Sequence, residues 1–122
     1  MLVVDDEAAV RTIAARALER GGFRVLEAAS GPEALELMNR HGPPDLVLTD
    51  LSMPDFGGAE LARRLRERWP ALGILFLSGF SVEELVRRGI AADVELVPKP
   101  FTPAGLLERV AAALASRHRR AI

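Results

Sequence analysis

Five polar side chains with complementary chemistry each follow a short apolar stretch of the chain: Asp5, Asp6, Asp50, Ser78 and Lys99. Carboxylates that are grouped together repel one another, so such a group either raises a pKa or recruits a cation. An oxygen-only set without His or Cys suits Mg²⁺. An ammonium and a hydroxyl beside that cation would suit a phosphoryl group, which carries several negative oxygens.

These side chains can cooperate only if the fold brings the ends of the apolar stretches together. Strand-like stretches at 2–4, 23–28, 46–49, 74–77 and 94–97 alternate with helical patterns. Such alternation predicts a parallel sheet with right-handed crossovers and helices on both faces. Ligands of such sheets bind at the carboxyl ends of the strands, where all five side chains are expected to meet.

The helical segments have recognisable starts, stops and inward faces. Gly21 and Gly22 end the first helix. Two capping boxes, Ser30–Glu33 and Ser81–Glu84, begin the second and fourth helices. The residues expected to face the core are Val10, Ile13, Ala14, Ala17 and Leu18 in the first helix, Leu61, Ala62, Leu65 and Trp69 in the third, and Leu107, Val110, Ala111 and Leu114 in the last.

The bulk composition excludes several classes of protein. The chain has 122 residues, enough for one domain spanning 1–122. It has no cysteine, which excludes disulfides and thiolate metal sites. Its formal net charge of −1 gives no electrostatic reason for binding nucleic acid or a membrane. The acidic N-terminus does not resemble a signal peptide, and a cytoplasmic location is expected. The basic segment 117–120 is read as a solvated helix end, with a partner-binding tail as the alternative.

Each polar residue also has an ordinary structural explanation. Asp5 and Asp6 could cap a helix, and Asp50 could open a turn. Ser78 could be a turn serine and Lys99 a solvated lysine. The joint placement of all five at strand ends is what favours a shared site.

Four motifs at these positions resemble the receiver domains of two-component response regulators, including the chemotaxis regulators. They are LVVDDE at 2–7, LVLTDLSMPDFGG at 46–58, LFLSGF at 75–80 and VPKPF at 97–101. The resemblance covers essentially the whole chain. It implies a flavodoxin-like (βα)5 three-layer sandwich with a five-stranded parallel sheet of order 2-1-3-4-5.

The resemblance also implies site roles. Asp50 would accept a phosphoryl group from phosphohistidine. Asp6, Asp50 and the backbone carbonyl of Ser52 would bind Mg²⁺ (or Mn²⁺), and Asp5 would assist, partly through water. Lys99 and Ser78 would contact the phosphoryl oxygens. Gly79 would leave the phosphate accessible, and the Lys99–Pro100 bond would be cis.

Signalling in the resembled family uses a surface of the fourth helix, fifth strand and fifth helix. Family members usually carry Tyr or Phe three residues before the lysine, but this chain has Leu96. The usual aromatic switch is therefore in doubt. Ser52 and Phe80 match positions that tune phosphate lifetime, and Phe101 is expected to pack in the core.

Proteins with a similar fold can have other functions. A haloacid-dehalogenase-like phosphatase needs a second Asp at the position of Ser52. A dinucleotide carrier needs a glycine-rich loop after the first strand, which is absent. An interaction module that is never phosphorylated stays open. The resemblance implies a phosphoacceptor rather than an enzyme, with only slow self-dephosphorylation.

The expected phosphodonor is a histidine kinase or a histidine-phosphotransfer domain. It would dock on the first helix at Ala9, Arg11 and Thr12, which could instead be ordinary exposed residues. The output partner cannot be read from the sequence, and a monomer or weak dimer is expected. The segment 75–89 and the KPFTP motif resemble the tail receivers of hybrid histidine kinases. That origin is favoured over a stand-alone regulator, and both stay open.

Overall fold

The computed structural model describes residues 1–53, 57–87, 89 and 95–121. Strands and helices alternate along this part of the chain. The strands are β1 (Leu2–Val4), β2 (Leu26–Ala28), β3 (Leu46–Asp50), β4 (Gly73–Ser78) and β5 (Leu96–Pro98). The helices are α1 (Ala8–Arg20), α2 (Gly31–His41), α3 (Gly58–Arg68), α4 (Val82–Arg87) and α5 (Pro103–Ala121).

The five strands form one parallel sheet in the order β2-β1-β3-β4-β5. The predicted flavodoxin-like fold and strand order are therefore confirmed. The observed second strand is shorter than the predicted 23–28. The start of the predicted fifth strand, at residue 94, lies outside the described residues.

Two apolar layers cover the sheet because successive side chains of each strand point to opposite faces. Along β4, Ile74 and Phe76 belong to one layer, and Leu75 and Leu77 to the other. The helices α2, α3 and α4 complete the first layer, and α1 and α5 complete the second. The central strands β3 and β4 are covered on both faces, which explains why their sequences are almost continuously apolar.

The predicted helix starts and stops are largely confirmed. The Glu33 N–H donates to Ser30 Oγ (3.2 Å), and the Glu84 N–H donates to Ser81 Oγ (3.2 Å). α1 ends at Arg20 with Gly21 as its C-cap, and the next residue, Gly22, has a φ of 93°, a conformation that residues with a Cβ rarely adopt.

Two predicted core positions are wrong. Ile13 is 51% exposed, and Ala15 is buried in its place. The residues of α1 that pack into the second layer are Ala14, Ala17 and Leu18, and the two small alanines allow the helix to approach the sheet closely. Ala111 is exposed as well; α5 buries Val110, as predicted, together with Leu106 and Ala113.

The remaining core predictions are consistent with the structure. Leu61, Ala62 and Leu65 are buried, and Trp69 packs partly buried against the first layer. Phe101 packs against the second layer, as expected. Within the described residues, every helix is too short or too polar to cross a membrane.

Candidate functional site

The buried polar side chains of the described residues all lie at or next to the carboxyl ends of the strands. Asp5 follows β1, Thr49 and Asp50 end β3, and Ser78 ends β4. Because parallel strands present their carboxyl ends at one edge, the fold alone brings these groups together. We call this region the carboxyl edge and define it by Asp5, Asp6, Asp50, Ser78 and Lys99.

Three carboxylates of the carboxyl edge form a compact cluster. One carboxylate oxygen from each of Asp5, Asp6 and Asp50 lies within 4.8 Å of the others. Oxygens on opposite sides of a bound Mg²⁺ are about 4.2 Å apart, twice the usual Mg–O distance. The spacing and the oxygen-only donors therefore fit this cation with small side-chain adjustments.

The three acids are not equivalent. Asp5 is fully buried, and both of its carboxylate oxygens have partners within the chain: Oδ1 accepts from the Glu7 N–H (2.9 Å) and Oδ2 from Lys99 Nζ (3.3 Å). Asp6 is exposed. Both Asp5 oxygens are therefore engaged by neighbours within the chain, whereas Asp6 is open to solvent.

Lys99 brings the positive charge that the sequence placed at this edge. Its Nζ lies 3.3 Å from Asp5 Oδ2 and 3.3 Å from Asp50 Oδ1. The backbone position of Lys99 is fixed because its N–H donates to the Ser78 carbonyl (2.8 Å), which continues the pairing of β5 with β4. The Lys99–Pro100 peptide bond is cis, as expected.

Burial and charge shift the pKa values of both partners. Burial, helped by the neighbouring Asp5 carboxylate, raises the pKa of Asp50 above its ordinary value, although Lys99 and a backbone hydrogen bond from Ser52 oppose the shift. Burial alone would lower the pKa of Lys99, but the Asp50 and Asp5 carboxylates outweigh it and raise that pKa. Lys99 therefore stays cationic, and Asp50 carries unfavourable negative charge.

The hydroxyl of Ser78 is held in a local turn. Its Oγ accepts from the Phe80 N–H (2.9 Å) and donates to the Phe80 carbonyl (3.3 Å). A Cβ added at Gly79 would meet no atom within 4 Å, so the space beside this turn is open. Phe80 itself packs partly buried against the first apolar layer.

Two glycines hold the backbone after Asp50. A Cβ at Gly58 would lie 2.3 Å from the Asp50 carbonyl oxygen, and one at Gly57 would lie 2.5 Å from the Leu51 carbonyl oxygen. The Gly58 N–H donates to the Leu51 carbonyl (2.9 Å). The start of α3 therefore packs directly on the backbone of Asp50, which explains why the motif needs glycine at both positions.

The remaining predicted site residues lie around this cluster. Ser52 is exposed one residue beyond Leu51, and Pro100 is exposed beyond Lys99. Leu96 is partly buried, packs against the first apolar layer and pairs with Phe76 in the sheet. Its carbonyl accepts from Arg109 Nη1 (3.3 Å). An apolar side chain thus already packs inward at the position where the resemblance implies an aromatic residue.

Arg11 lies in a different environment from the one predicted. It was expected on an exposed docking face, but its side chain is only 20% exposed and contacts the Asp5 carbonyl and Glu27. The neighbouring Ala9 is exposed and Thr12 is half-buried. Nothing in the spacing of a single sequence signals this contact, because it joins a helix to the edge strand β2.

Comparison with known proteins gives a consistent result. The family described as "Response regulator receiver domain" matches residues 1–111. The chain is 43% identical over 105 residues to the sensor kinase CckA of Brucella abortus, covering 84% of this chain and 11% of the relative. It is 42% identical over 115 residues to the response regulator MprA of Mycobacterium leprae, covering 93% of this chain and 50% of the relative. The chain thus spans half or less of these two relatives.

Solved structures show the same similarity in three dimensions. The receiver domain of the hybrid histidine kinase CckA has a TM-score of 0.77 at 37% identity, covering 93% of this chain and 96% of that one. The chemotaxis protein CheY4 of Vibrio cholerae has a TM-score of 0.83 at 29% identity, covering 92% and 95%. With the fold, the edge residues and the family match in agreement, this chain belongs to the response regulator receiver domain family of two-component signalling.

Proposed function

We propose that Asp50 is the phosphoacceptor of this receiver domain, and that the domain takes its phosphoryl group from a phosphohistidine. The observation that carries the proposal is the position of the Asp50 carboxylate: it is buried at the carboxyl edge, 3.3 Å from Lys99 Nζ and clustered with Asp5 and Asp6. Burial raises its pKa, so the charge of this carboxylate is poorly solvated.

In the reaction, one carboxylate oxygen of Asp50 attacks phosphorus and forms a P–O bond. The P–N bond to the donor imidazole breaks, and its electron pair stays on the ring nitrogen, which takes up a proton from solvent. The product is an aspartyl phosphate. Lys99 stays protonated because its pKa is raised, so it can pair with the phosphoryl oxygens as charge moves away from Asp50.

The proposed metal set is Asp6, Asp50 and the backbone carbonyl of Ser52, with Asp5 contributing through water. Asp5 has this lesser role because its two oxygens already accept from Glu7 and Lys99. When bound, Mg²⁺ (or Mn²⁺) supplies positive charge that offsets the phosphoryl oxygens.

Switching would begin at Ser78. To donate to a phosphoryl oxygen, its hydroxyl must give up its hydrogen bond to the Phe80 carbonyl, 3.3 Å away. The turn of Gly79 and Phe80 would then shift and change the surface formed by α4, β5 and α5. Pro100 directly follows Lys99 and is proposed to take part in this change. Leu96 already packs inward, so the change is proposed to proceed without an aromatic swing.

The lifetime of the aspartyl phosphate is proposed to depend on Phe80 and Ser52. Phe80 lies two residues after Ser78, where its bulk can hinder attacking water. Replacing it with Ala should speed loss of the phosphoryl group, measured as decay of the phosphorylated mass. Unchanged decay would remove this role from Phe80.

We also propose the domain's extent, its location and its phosphodonor. Residues 1–122 form one receiver domain that works in the cytoplasm as a phosphoacceptor rather than a turnover enzyme. Its donor is a histidine kinase or histidine-phosphotransfer domain that docks near α1. The similarity to a hybrid kinase receiver supports an origin in a longer kinase, and the similarity to response regulators supports a regulator instead.

Intact mass spectrometry tests the proposal. The chain is incubated with Mg²⁺ and a small acyl phosphate, and a gain of one phosphoryl group is expected. Asp50→Asn should abolish the gain, and the matched control Glu36→Gln, which changes an exposed acid on α2, should retain it. A wild-type chain that gains no mass under these conditions would favour an interaction module that is never phosphorylated.

A further inference from the structure

A guanidinium group lies directly beside the acidic cluster. Arg11, in the first turns of α1, directs its side chain back toward the loop that precedes the helix. Its Nη1 donates to the Asp5 carbonyl (2.7 Å), and its Nε lies 3.4 Å from Glu27 Oε1 on β2. The Arg11 side chain is 20% exposed and the Glu27 side chain 45% exposed, so the ion pair with Glu27 remains partly open to water.

The carbonyl that Arg11 contacts belongs to the peptide bond joining Asp5 to Asp6. Because a peptide unit is planar, a bond to this oxygen fixes the orientation of the whole unit and of the Asp6 backbone attached to it. The Asp5 N–H donates to the Ala28 carbonyl (3.1 Å), and Asp5 Oδ1 accepts from Glu7. Arg11 is therefore the side-chain partner that holds the orientation of this peptide unit.

Charge by itself would make Arg11 a poor neighbour for a metal site. A guanidinium near the cluster repels Mg²⁺ and lowers its affinity. Glu27 is positioned to cancel that charge, since it contacts Arg11 from β2, where it pairs in register with Val3 of β1. The pair thus provides a strong, fixed hydrogen-bond donor with little net charge.

We propose that Arg11 is a positioning residue for the metal site, holding the Asp5–Asp6 peptide unit, and that Glu27 is its counter-ion. This inference rests on the proposed function, in which the carboxyl edge binds Mg²⁺. It assigns Arg11 a role in the acidic cluster and gives the edge strand β2 a part in a site built mainly on β1 and β3.

Titration calorimetry of the unphosphorylated chain with Mg²⁺ tests the pair. Arg11→Met and Arg11→Gln remove the same charge and keep an unbranched stem, but only the glutamine keeps a donor, which lies two bonds nearer the backbone than Arg11 Nη1 and can contact the Asp5 carbonyl through a bridging water. Arg11→Met should weaken Mg²⁺ binding about tenfold, the scale seen when partners of metal ligands are lost. Arg11→Gln should recover part of that loss, because its amide can restore the contact with the carbonyl through water.

Glu27→Gln provides a second, independent variant. It leaves the Arg11 hydrogen bond in place but removes the negative charge that offsets the guanidinium. The affinity for Mg²⁺ should therefore fall a few-fold at low salt. The difference from wild type should shrink as salt screens the charge. Unfolding in denaturant with a chelator present checks that each variant is folded. If Arg11→Met fails that check, Arg11→Gln and Glu27→Gln decide the question.

The outcomes separate the inference from the proposed function. If both Arg11 variants bind Mg²⁺ as well as or better than wild type, charge dominates and the positioning role is wrong, while the metal site stands. Unchanged affinity in Glu27→Gln at low salt would remove the counter-ion role. If the wild-type chain binds no Mg²⁺, the proposed function fails and the inference fails with it.

Discussion

Two regions of the molecule place one cation between two carboxylates, with opposite results. On α3, Arg63 contacts Glu60 (2.6 Å) and Glu67, and all three side chains are at least one-third exposed. At the carboxyl edge, Lys99 lies 3.3 Å from both Asp5 and Asp50, whose side chains are 0% and 9% exposed. The same kind of charge arrangement is thus solvated in one place and buried in the other.

The pKa values of Glu60 and Asp50 shift in opposite directions in these two regions. Hydrogen bonding and charge from Arg63 lower the pKa of Glu60 to about 2. At the carboxyl edge, burial and the second carboxylate raise the pKa of Asp50. Exposed pairs of the α3 kind contribute little to stability. The cluster at the carboxyl edge also includes a third acid, the exposed Asp6, so three carboxylates lie near one ammonium, an arrangement that favours binding of a further cation.

Replacing the central cation should have its largest effect at the carboxyl edge. Lys99→Met should lower the rate of phosphorylation by a small phosphodonor about 100-fold, because a fixed charge on the phosphoryl oxygens is lost. Arg63→Met, the matched change on α3, should leave the rate unchanged. The rate is measured by intact mass against time. Equal rates for the two variants would show that Lys99 has no role in the transfer.

Removing one acid should weaken metal binding only at the carboxyl edge. Asp6→Asn should lower Mg²⁺ affinity at least about tenfold, since it removes the exposed ligand of the cluster. Glu67→Gln on α3 should not change the affinity. Both are measured by calorimetric titration. Tight binding that persists in Asp6→Asn would exclude this acid as a ligand.

The raised pKa of Asp50 predicts a stability effect in the absence of metal. A carboxyl group whose pKa is higher in the folded state destabilises the fold once it is ionised. Asp50→Asn should therefore raise the free energy of unfolding at neutral pH by about 1 kcal/mol, the usual scale for single substitutions.

The sign of this effect can be checked by its pH dependence. The gain should be largest above the folded-state pKa of Asp50 and should vanish as pH falls below the ordinary carboxyl pKa, where both states are protonated. Denaturant unfolding with a chelator, at several pH values, measures it. A variant that is less stable than wild type at neutral pH would contradict the assigned cost of burial.

The smallest effect is expected on α3 itself. Arg63→Ala should lower the free energy of unfolding only slightly, because its ion pairs are exposed and screened by salt. Added salt should reduce the difference further. A much larger loss of stability would mean that exposure does not distinguish the two regions.

Much of the fold and the membership of the site could be predicted from the sequence. The alternating apolar strands determine the parallel sheet, and a parallel sheet necessarily gathers Asp5, Asp50, Ser78 and Lys99 at one edge. Helix starts and stops were predictable because capping and glycine act locally, as at Ser30 and Gly22.

Other features depend on contacts between distant parts of the chain. The face of α1 that is buried, with Ile13 exposed and Ala15 buried, depends on how the helix packs in the fold, and periodicity alone does not define it within one residue. The contact of Arg11 with Glu27 depends on the position of β2 beside β1. A single sequence carries no signal for either.

The central claim is that the carboxyl edge directs one phosphoryl group onto Asp50. Proteolysis of the phosphorylated chain, followed by tandem mass spectrometry of its peptides, locates that group most directly. The expected result is a phosphoryl group on Asp50 alone, formed only when Mg²⁺ is present. A group found on Asp5, Asp6 or Ser78, or formed equally well with a chelator, would contradict the account.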